Sequence, residues 1–555
     1  MSWLTDPSRI PFYIGIRVAR SVVSPFFYTA AAVLVKRFII GKFQAGPRDV
    51  SSQVQLLRHW LAARLLSRKG FQDIADIVGR HYEIMSMVYR ACGARVGKRV
   101  FWPGRQPVTT GELDLLDVGD DVVFGSRSSL IFTSMDKASK ITLGAGANVA
   151  DNCIVLPGGM LGKNAVLASN SICPQDRYLP SGSVWFGSKG SQPQLLEKGE
   201  EEDSAELTQH SSSPNDFVPP KAASSSKLQK EGSQSTLRPF GKAVYEQEPK
   251  NLPYTVLPPS VMMILCVAIK FAISCFHTLP ILAALHTAAA ILWGTPASER
   301  DYSFSGNGYT FGTLYVTFLG CFIVFHAVRI LLTLLVELTA KRCLIGRRRK
   351  GAYNYDSHSY PQRWEIYQLI CKIRQFNGMN YLEYFSGSAW INQYFRWNGA
   401  KIGKDVCLYP SGADPYMPEP DLVTIEDHAV IDAASIVCHL NTKGNFTLSP
   451  IHLGKGCTLR SQSRVQQAVQ VGEGAMLLEK SLAMTGEVLE EFTIWQGCPA
   501  SFWKEYPATV RDTGGGTEEK TPTPSNGSKS LLSSSSSYSQ SEGTPDLSTK
   551  TSRNV

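Results

Sequence analysis

Apolar positions recur at every sixth residue over two long stretches of this chain. In the first, Val118, Phe124 and Leu130 set the period, and Leu143, Val149, Val155, Leu161 and Leu167 resume it after a break. In the second, Ile425, Ile431 and Val437 are followed by Leu453, Leu459, Val465, Val471 and Leu477. Small side chains fall four places after most of the later anchors, as at Ala429, Ser435, Cys457, Ser463, Ala475 and Ser481. A period of six fits neither the 3.6 of a helix nor the 2 of a half-buried strand. It predicts a parallel β-helix with one hexapeptide per side, the aliphatic anchor inward and the small residue at the corner. Coils stacked in this way share one continuous core.

Other periods organise the rest. Residues 51–92 and 360–397 carry helical stripes, the first through Leu57, Leu61, Ile74 and Ile77, the second through Trp364, Ile366, Leu369 and Ile373. The coil domains they precede are predicted over 93–190 and 398–503. Residues 256–293 and 309–340 are long and apolar enough for a pair of transmembrane helices. The stretch 12–40 is a third membrane segment, spanning or lying in the interface. Its uncharged part, Ser21 to Val35, is shorter than the ~20 residues a span needs, although Arg17, Arg20, Lys36 and Arg37 can snorkel from its ends. Residues 191–255 and 512–555 are Ser-rich without apolar period, and read as a disordered linker and tail.

The two halves are copies of one another. Lys36, Arg37 and Gly41 lie 305 positions before Lys341, Arg342 and Gly346, and Gly93 and Gly97 lie 306 before Gly399 and Gly403. Leu143, Gly162, Trp185 and Gly187 lie 310 before Leu453, Gly472, Trp495 and Gly497. An offset that drifts so slowly marks an internal duplication.

Composition narrows the classes. The net charge of +9 owes much to Lys341, Arg342 and the run Arg347 to Lys350, and does not suggest a nucleic-acid binder. By the positive-inside rule that run places the end of the last membrane helix, and with it both coil domains, in the cytoplasm, where it can also meet anionic lipid. The twelve cysteines are scattered, and Cys153 and Cys457 fall at coil corners, which fits reduced, buried thiols. No spacing matches a metal site, and Arg17 and Arg20 interrupt any signal-peptide layout.

Candidate chemistry sits where the period breaks. After Val437, the segment Cys438 to Gly444 leaves the stack before Leu453 resumes it. His439 opens that loop, and an imidazole there is suited to take a proton from an attacking amine or hydroxyl. Asp432 and Asn441 are the candidates to orient the ring or the substrate. At an offset of 307 the first copy has Phe132 instead, and no histidine lies between Val100 and Gly190, so only the second copy is expected to carry the base. His428 and His452 read as surface residues. His326 and Arg329 share one face of the last membrane helix, either as a functional pair or bonded to the neighbouring helix.

The pattern in Ile425-Glu-Asp-His-Ala429 and Leu161-Gly-Lys-Asn-Ala165 resembles the hexapeptide repeat of left-handed β-helix acyltransferases. Together with a membrane segment, Lys-Arg-x-x-x-Gly, a Trp-containing helix and Arg-x-x-Gly-Ala, it looks like the C-terminal region of ε-poly-L-lysine synthetase-like nonribosomal peptide synthetases, over about 12–190 and 256–503. The resemblance implies a mainly β fold: two tandem left-handed parallel β-helix domains joined to transmembrane helices. It implies acyl or aminoacyl transfer with His439 as general base, an acyl-CoA or carrier-protein thioester as donor, no tightly bound cofactor, and oligomers through the prisms. The sequence departs from that family in having no adenylation or carrier module, two coil domains instead of three, and a first membrane segment without a partner helix. A separate adenylation and carrier module is therefore an expected partner. The alternatives are a non-catalytic membrane scaffold, a truncated synthetase fragment, or a transporter built on His326 and Arg329.

Overall fold

The computed structural model describes residues 9–48, 52–78, 82–187, 192–197, 256–294, 310–355, 357–376, 379–412, 415–442 and 445–506. The tail read over 512–555, most of the linker and the loop tip at Lys443 and Gly444 lie outside them.

Each six-residue period becomes one short strand, except that Ile436 rather than Val437 takes the anchor place opposite Val465, and each strand pairs in parallel with the strand one coil away. In the first copy Leu161 pairs with Leu143 on one side and Leu179 on the other. In the second, Val471 pairs with Leu453 and Leu489. Successive strands go to successive sheets, so each copy is a stack with three parallel sheets. The anchors meet on the axis: Phe124, Leu130, Val149 and Val155 in one core, and Ile431, Leu453, Val465 and Leu477 in the other, are fully buried. An antiparallel strand closes each stack, Gln194–Glu197 in the first and Ser501–Glu505 in the second.

Many corners need the left-handed backbone region, which Asn and Asp enter most readily. The first stack meets this mostly with Asp121, Asn152, Asn164, Asn170 and Asp176, and with Arg99 and Arg127. The second uses His428, Gln462, Ala468 and Lys480 at such corners.

Among the described residues, three helices are long and apolar enough to cross a membrane: α1 (Ile10–Ile40), and, further along, Pro259–Trp293 and Phe311–Ile345. After α1 come α2 (Gln53–Leu65), α3 (Arg68–Val78) and α4 (Tyr82–Ala91), which precede the first stack. The second and third long helices are α5 (Pro259–Trp293) and α6 (Phe311–Ile345). They are followed by α7 (Ser359–Cys371), α8 (Ala389–Trp397) and the second stack. At 1.5 Å per residue, 35 residues extend about 52 Å, more than the ~30 Å of a hydrocarbon core. The excess length of α5 is used against α3, where its Lys270 pairs with the buried Asp76 at 3.1 Å. Lys372, just beyond α7, pairs with the same carboxylate, so one aspartate of the first copy ties down the second.

Both α1 and α6 end at glycines with positive φ, Gly41 and Gly346, and both are clasped to their stack by an aspartate. In the first copy Asp114 accepts from Lys36 Nζ at 2.6 Å and from the Phe43 backbone N–H at 3.0 Å. In the second, Asp421 accepts from the Arg348 N–H and its guanidinium, both at 2.7 Å, with Lys341 at 3.3 Å. Burial pushes the Asp421 carboxyl up, but Arg348 and Lys341 outweigh it and hold it below the ordinary range. Gly93 and Gly399 pass directly over these carboxylates. A Cβ at Gly399 would lie 2.7 Å from that of Asp421, a separation only glycine permits.

Candidate functional site

The break in the period after Val437 is a β-hairpin. His439–Thr442 pairs antiparallel with Asn445–Leu448, and Gly351–Asn354, which follows α6, adds a third strand to Asn445–Leu448. The first copy has a shorter version, in which Thr133 bridges Ala138 and Gly46–Pro47 pairs with Lys137–Ala138. The hydrogen bond from Ser139 N–H to Phe132 C=O matches that from Ser449 N–H to Cys438 C=O. The residue at the place of His439 is therefore Thr133 rather than Phe132. Four extra hairpin residues also account for the rise in offset from 306 to 310.

His439 is 12% exposed, and its Nδ1 lies 2.8 Å from Oε1 of Glu419, which is fully buried. The same oxygen accepts from Trp364 Nε1 at 3.0 Å, and the Cys438 N–H donates to the other at 3.3 Å. Phe446 stacks on the imidazole at 5.2 Å and Trp364 meets it edge-on at 5.0 Å. Burial pushes the Glu419 carboxyl up, but His439, Arg348 and the Trp364 hydrogen bond outweigh it and keep it below the usual glutamate value. An ionised Glu419 fixes the ring with Nδ1 as the donor, which leaves Nε2 as the basic nitrogen.

The other sequence candidates are held elsewhere. Asn441 Oδ1 accepts from Tyr355 Oη at 3.0 Å, and Asp432 accepts from Ser411 and Ser461. His428 and His452 are exposed and lie near Asp405 and Glu426. Among the described residues no group of three His, Cys, Asp or Glu side chains is arranged to hold a metal. A surface concavity of roughly 630 Å³ beside Arg396, Lys401 and Lys455 contains none of the residues around His439.

The first copy holds a histidine–glutamate pair that the sequence reading missed. His59 Nδ1 lies 2.6 Å from Oε1 of Glu112, with the ring 13% exposed and the carboxylate 2%. Glu112 and Glu419 are 307 apart, in the matching runs Glu112-Leu-Asp-Leu115 and Glu419-Pro-Asp-Leu422. At the 305 offset of the preceding helices, His59 corresponds to Trp364, and both bond the glutamate of their own copy. The histidine thus comes from the helix in one copy and from the hairpin in the other. The shared Glu-x-Asp-Leu run was the available signal.

The hairpin of His439 lies at the seam between copies. Leu440 packs against the first core, and Tyr355 meets Phe101 at 5.4 Å. Asp151 bridges Arg127 of its own copy and Arg464 of the other, and Cys498 Sγ lies 3.1 Å from the Ser169 carbonyl.

No protein-family model matches the chain. It is 25% identical over 511 residues to the delta-poly-L-ornithine synthetase of Acinetobacter baumannii (strain AB307-0294), covering 89% of this chain and 32% of that protein. The chain thus spans about a third of the relative's length. Among solved structures, a maltose O-acetyltransferase from Clostridium difficile 630 aligns at 13% identity and a TM-score of 0.22, over 28% of this chain and 94% of that one. A serine O-acetyltransferase from Brucella melitensis aligns at 12% identity and a TM-score of 0.19, over 45% and 76%.

Proposed function

We propose that this chain is a membrane-anchored acyl- or aminoacyl-transfer unit that forms amide bonds, built on two left-handed parallel β-helices facing the cytoplasm. The observation that carries the reading is the hydrogen bond from His439 to the buried, ionised Glu419 at the seam between the stacks. In the proposed step the amine nitrogen adds to a thioester carbonyl while Nε2 of His439 takes the N–H proton. The C–N bond forms, the C–S bond breaks, and the leaving thiolate receives that proton. The donor is an acyl-CoA or a carrier-protein thioester. A separate adenylation and carrier module, as in a nonribosomal peptide synthetase, would supply it. The similarity to a poly-ornithine synthetase supports an amino-acid substrate. The exposed basic residues Arg347, Arg349 and Lys350 at the end of α6 support the cytoplasmic orientation and contact with anionic lipid. Further prisms from a second copy of the chain would extend the assembly.

A non-catalytic scaffold is the second reading, favoured by the packing of the His439 ring, which stacks on Phe446 and meets Trp364 edge-on. The test is thiol release from aminoacyl-thioesters offered with amine acceptors to the detergent-solubilised full chain. Wild type is compared with His439→Ala and Glu419→Gln. Turnover lost in both variants, with unfolding temperatures kept, is the expected result. Turnover unchanged in both overturns the assignment, and its absence from wild type supplied with a carrier-bound donor favours the scaffold.

A further inference from the structure

A second cluster of polar groups lies between α5 and α6, far along the chain from either histidine–glutamate pair. Arg329 of α6 is 3% exposed, and its guanidinium lies over the ring of Phe376 at 4.0 Å and that of Tyr381 at 5.7 Å. It bonds His326 Nδ1 at 2.5 Å and the His277 carbonyl of α5 at 3.4 Å. These bonds agree with the expected pairing to the neighbouring helix, but both partners are neutral acceptors. Among the described residues no carboxylate pairs with Arg329. Glu337, two turns further along, is taken by Arg374 at 3.2 Å, and Glu383 caps the Asn380 backbone N–H at 3.2 Å.

The surroundings are rich in donors without acceptors. Arg329 Nε and the hydroxyl of Tyr381 are buried without hydrogen-bond partners, as are both ring nitrogens of His277, one of which carries an N–H in the neutral ring. His326 accepts from Arg329 through Nδ1, so its Nε2 carries the ring proton. Arg17 of α1 adds further positive charge within reach of His277. A buried cation is costly without an anion, and each unsatisfied donor adds to that cost. Such a set is complete only when an oxyanion occupies it.

We infer that this cluster binds a phosphate group through Arg329, Tyr381, His277 and His326. The inference rests on reading α5 and α6 as membrane-spanning, and it is independent of the transfer chemistry. The outer face of α6 beside the cluster exposes Ile323, Val324, Val328 and Leu331, and Tyr384 and Met379 are exposed on the adjoining loop. An apolar surface around a cationic centre matches a phosphate that carries acyl chains. The phosphate is therefore assigned to a lipid headgroup.

The experiment measures thermal unfolding of the detergent-solubilised full chain titrated with three probes. Dihexanoyl phosphatidic acid has phosphate and tails, dihexanoylglycerol has tails alone, and inorganic phosphate has neither tail. The expected result is a saturable rise in unfolding temperature with phosphatidic acid only. Arg329→Gln is expected to raise the half-saturating concentration at least about tenfold, and Tyr381→Phe, which preserves the shape of the ring, about threefold. An equal, variant-sensitive response to inorganic phosphate keeps the phosphate site and overturns the lipid assignment. Equal responses to phosphatidic acid and dihexanoylglycerol, or responses unchanged in both variants, overturn the site.

Discussion

Each copy of the duplication buries a glutamate just after the first strands of its stack, and each presents a histidine to it, but from different elements. In the first copy the imidazole comes from α2, and one oxygen of Glu112 has no hydrogen-bond partner. In the second, the helix supplies Trp364, the hairpin supplies His439, and both oxygens of Glu419 are engaged. A pair of interacting side chains can therefore persist while the residue providing one member changes. Comparing the copies position by position finds Thr133 opposite His439 and no base in the first coil. Comparing what reaches the glutamate finds a pair in each. The second pair differs in being packed between two aromatic rings and placed where the stacks meet.

The sharpest test of that contrast is activity. His439→Ala is expected to cost about 10²- to 10⁴-fold in transfer rate, the range of a lost general base. His59→Ala is expected to stay within about tenfold. Equal losses in the thiol-release assay would make the copies two working sites, and the contrast would fail.

The aspartate clasps separate the copies next. Asp421→Ala leaves Arg348 and Lys341 buried without their carboxylate, and about 3–5 kcal/mol of stability should be lost. Asp114→Ala strands one cation, Lys36, which still donates to the Gly41 carbonyl, and the Phe43 backbone N–H, and should cost about 1–3 kcal/mol. Denaturant unfolding of the two variants measures the difference, and a larger loss at Asp114 would reverse the order.

A pH profile tests a smaller divergence. Burial raises the Glu487 carboxyl from 4.5 to about 7, while the first copy has Arg177 at the matching offset of 310. A carboxyl with a raised folded-state pKa contributes stability below its unfolded value, and that contribution is lost as pH rises through the folded one. Stability attributable to this group should fall between pH 4.5 and about 7, and Glu487→Gln should flatten that part of the profile. A profile unchanged by the substitution would remove the effect.

The smallest difference lies in the corners. Ala468 and Lys480 occupy left-handed positions of the kind the first stack fills with Asn164 and Asn170. Replacing either by Asn should stabilise the second stack by about 1 kcal/mol, read as a rise in unfolding temperature. No rise at either corner would show that the surrounding coil already compensates.

Much of the architecture was legible because it is written at short range. Six-residue periodicity marks which side chains turn inward, and Val471 between Leu453 and Leu489 needs no distant information to find its register. The drift of the duplication offset was legible too, although the origin of its last step, to 310, in a longer hairpin was not. His439 stood out because the period breaks there. Its partner did not, since Glu419 is 20 residues upstream on a turn with no period of its own. His59 was hidden further, on a helix 53 residues before the glutamate it meets.

The sequence by itself determined the two repeating stretches, their duplication and three segments apolar enough for a membrane, because each follows from the spacing of neighbouring residues. Only the tertiary structure decided which charges meet: His59 with Glu112, His439 with Glu419, Asp151 with Arg464 across the seam, and Arg329 with no carboxylate among the described residues. Burial makes these pairings energetically decisive, and burial depends on which faces of separate elements come together. Spacing along the chain does not encode that.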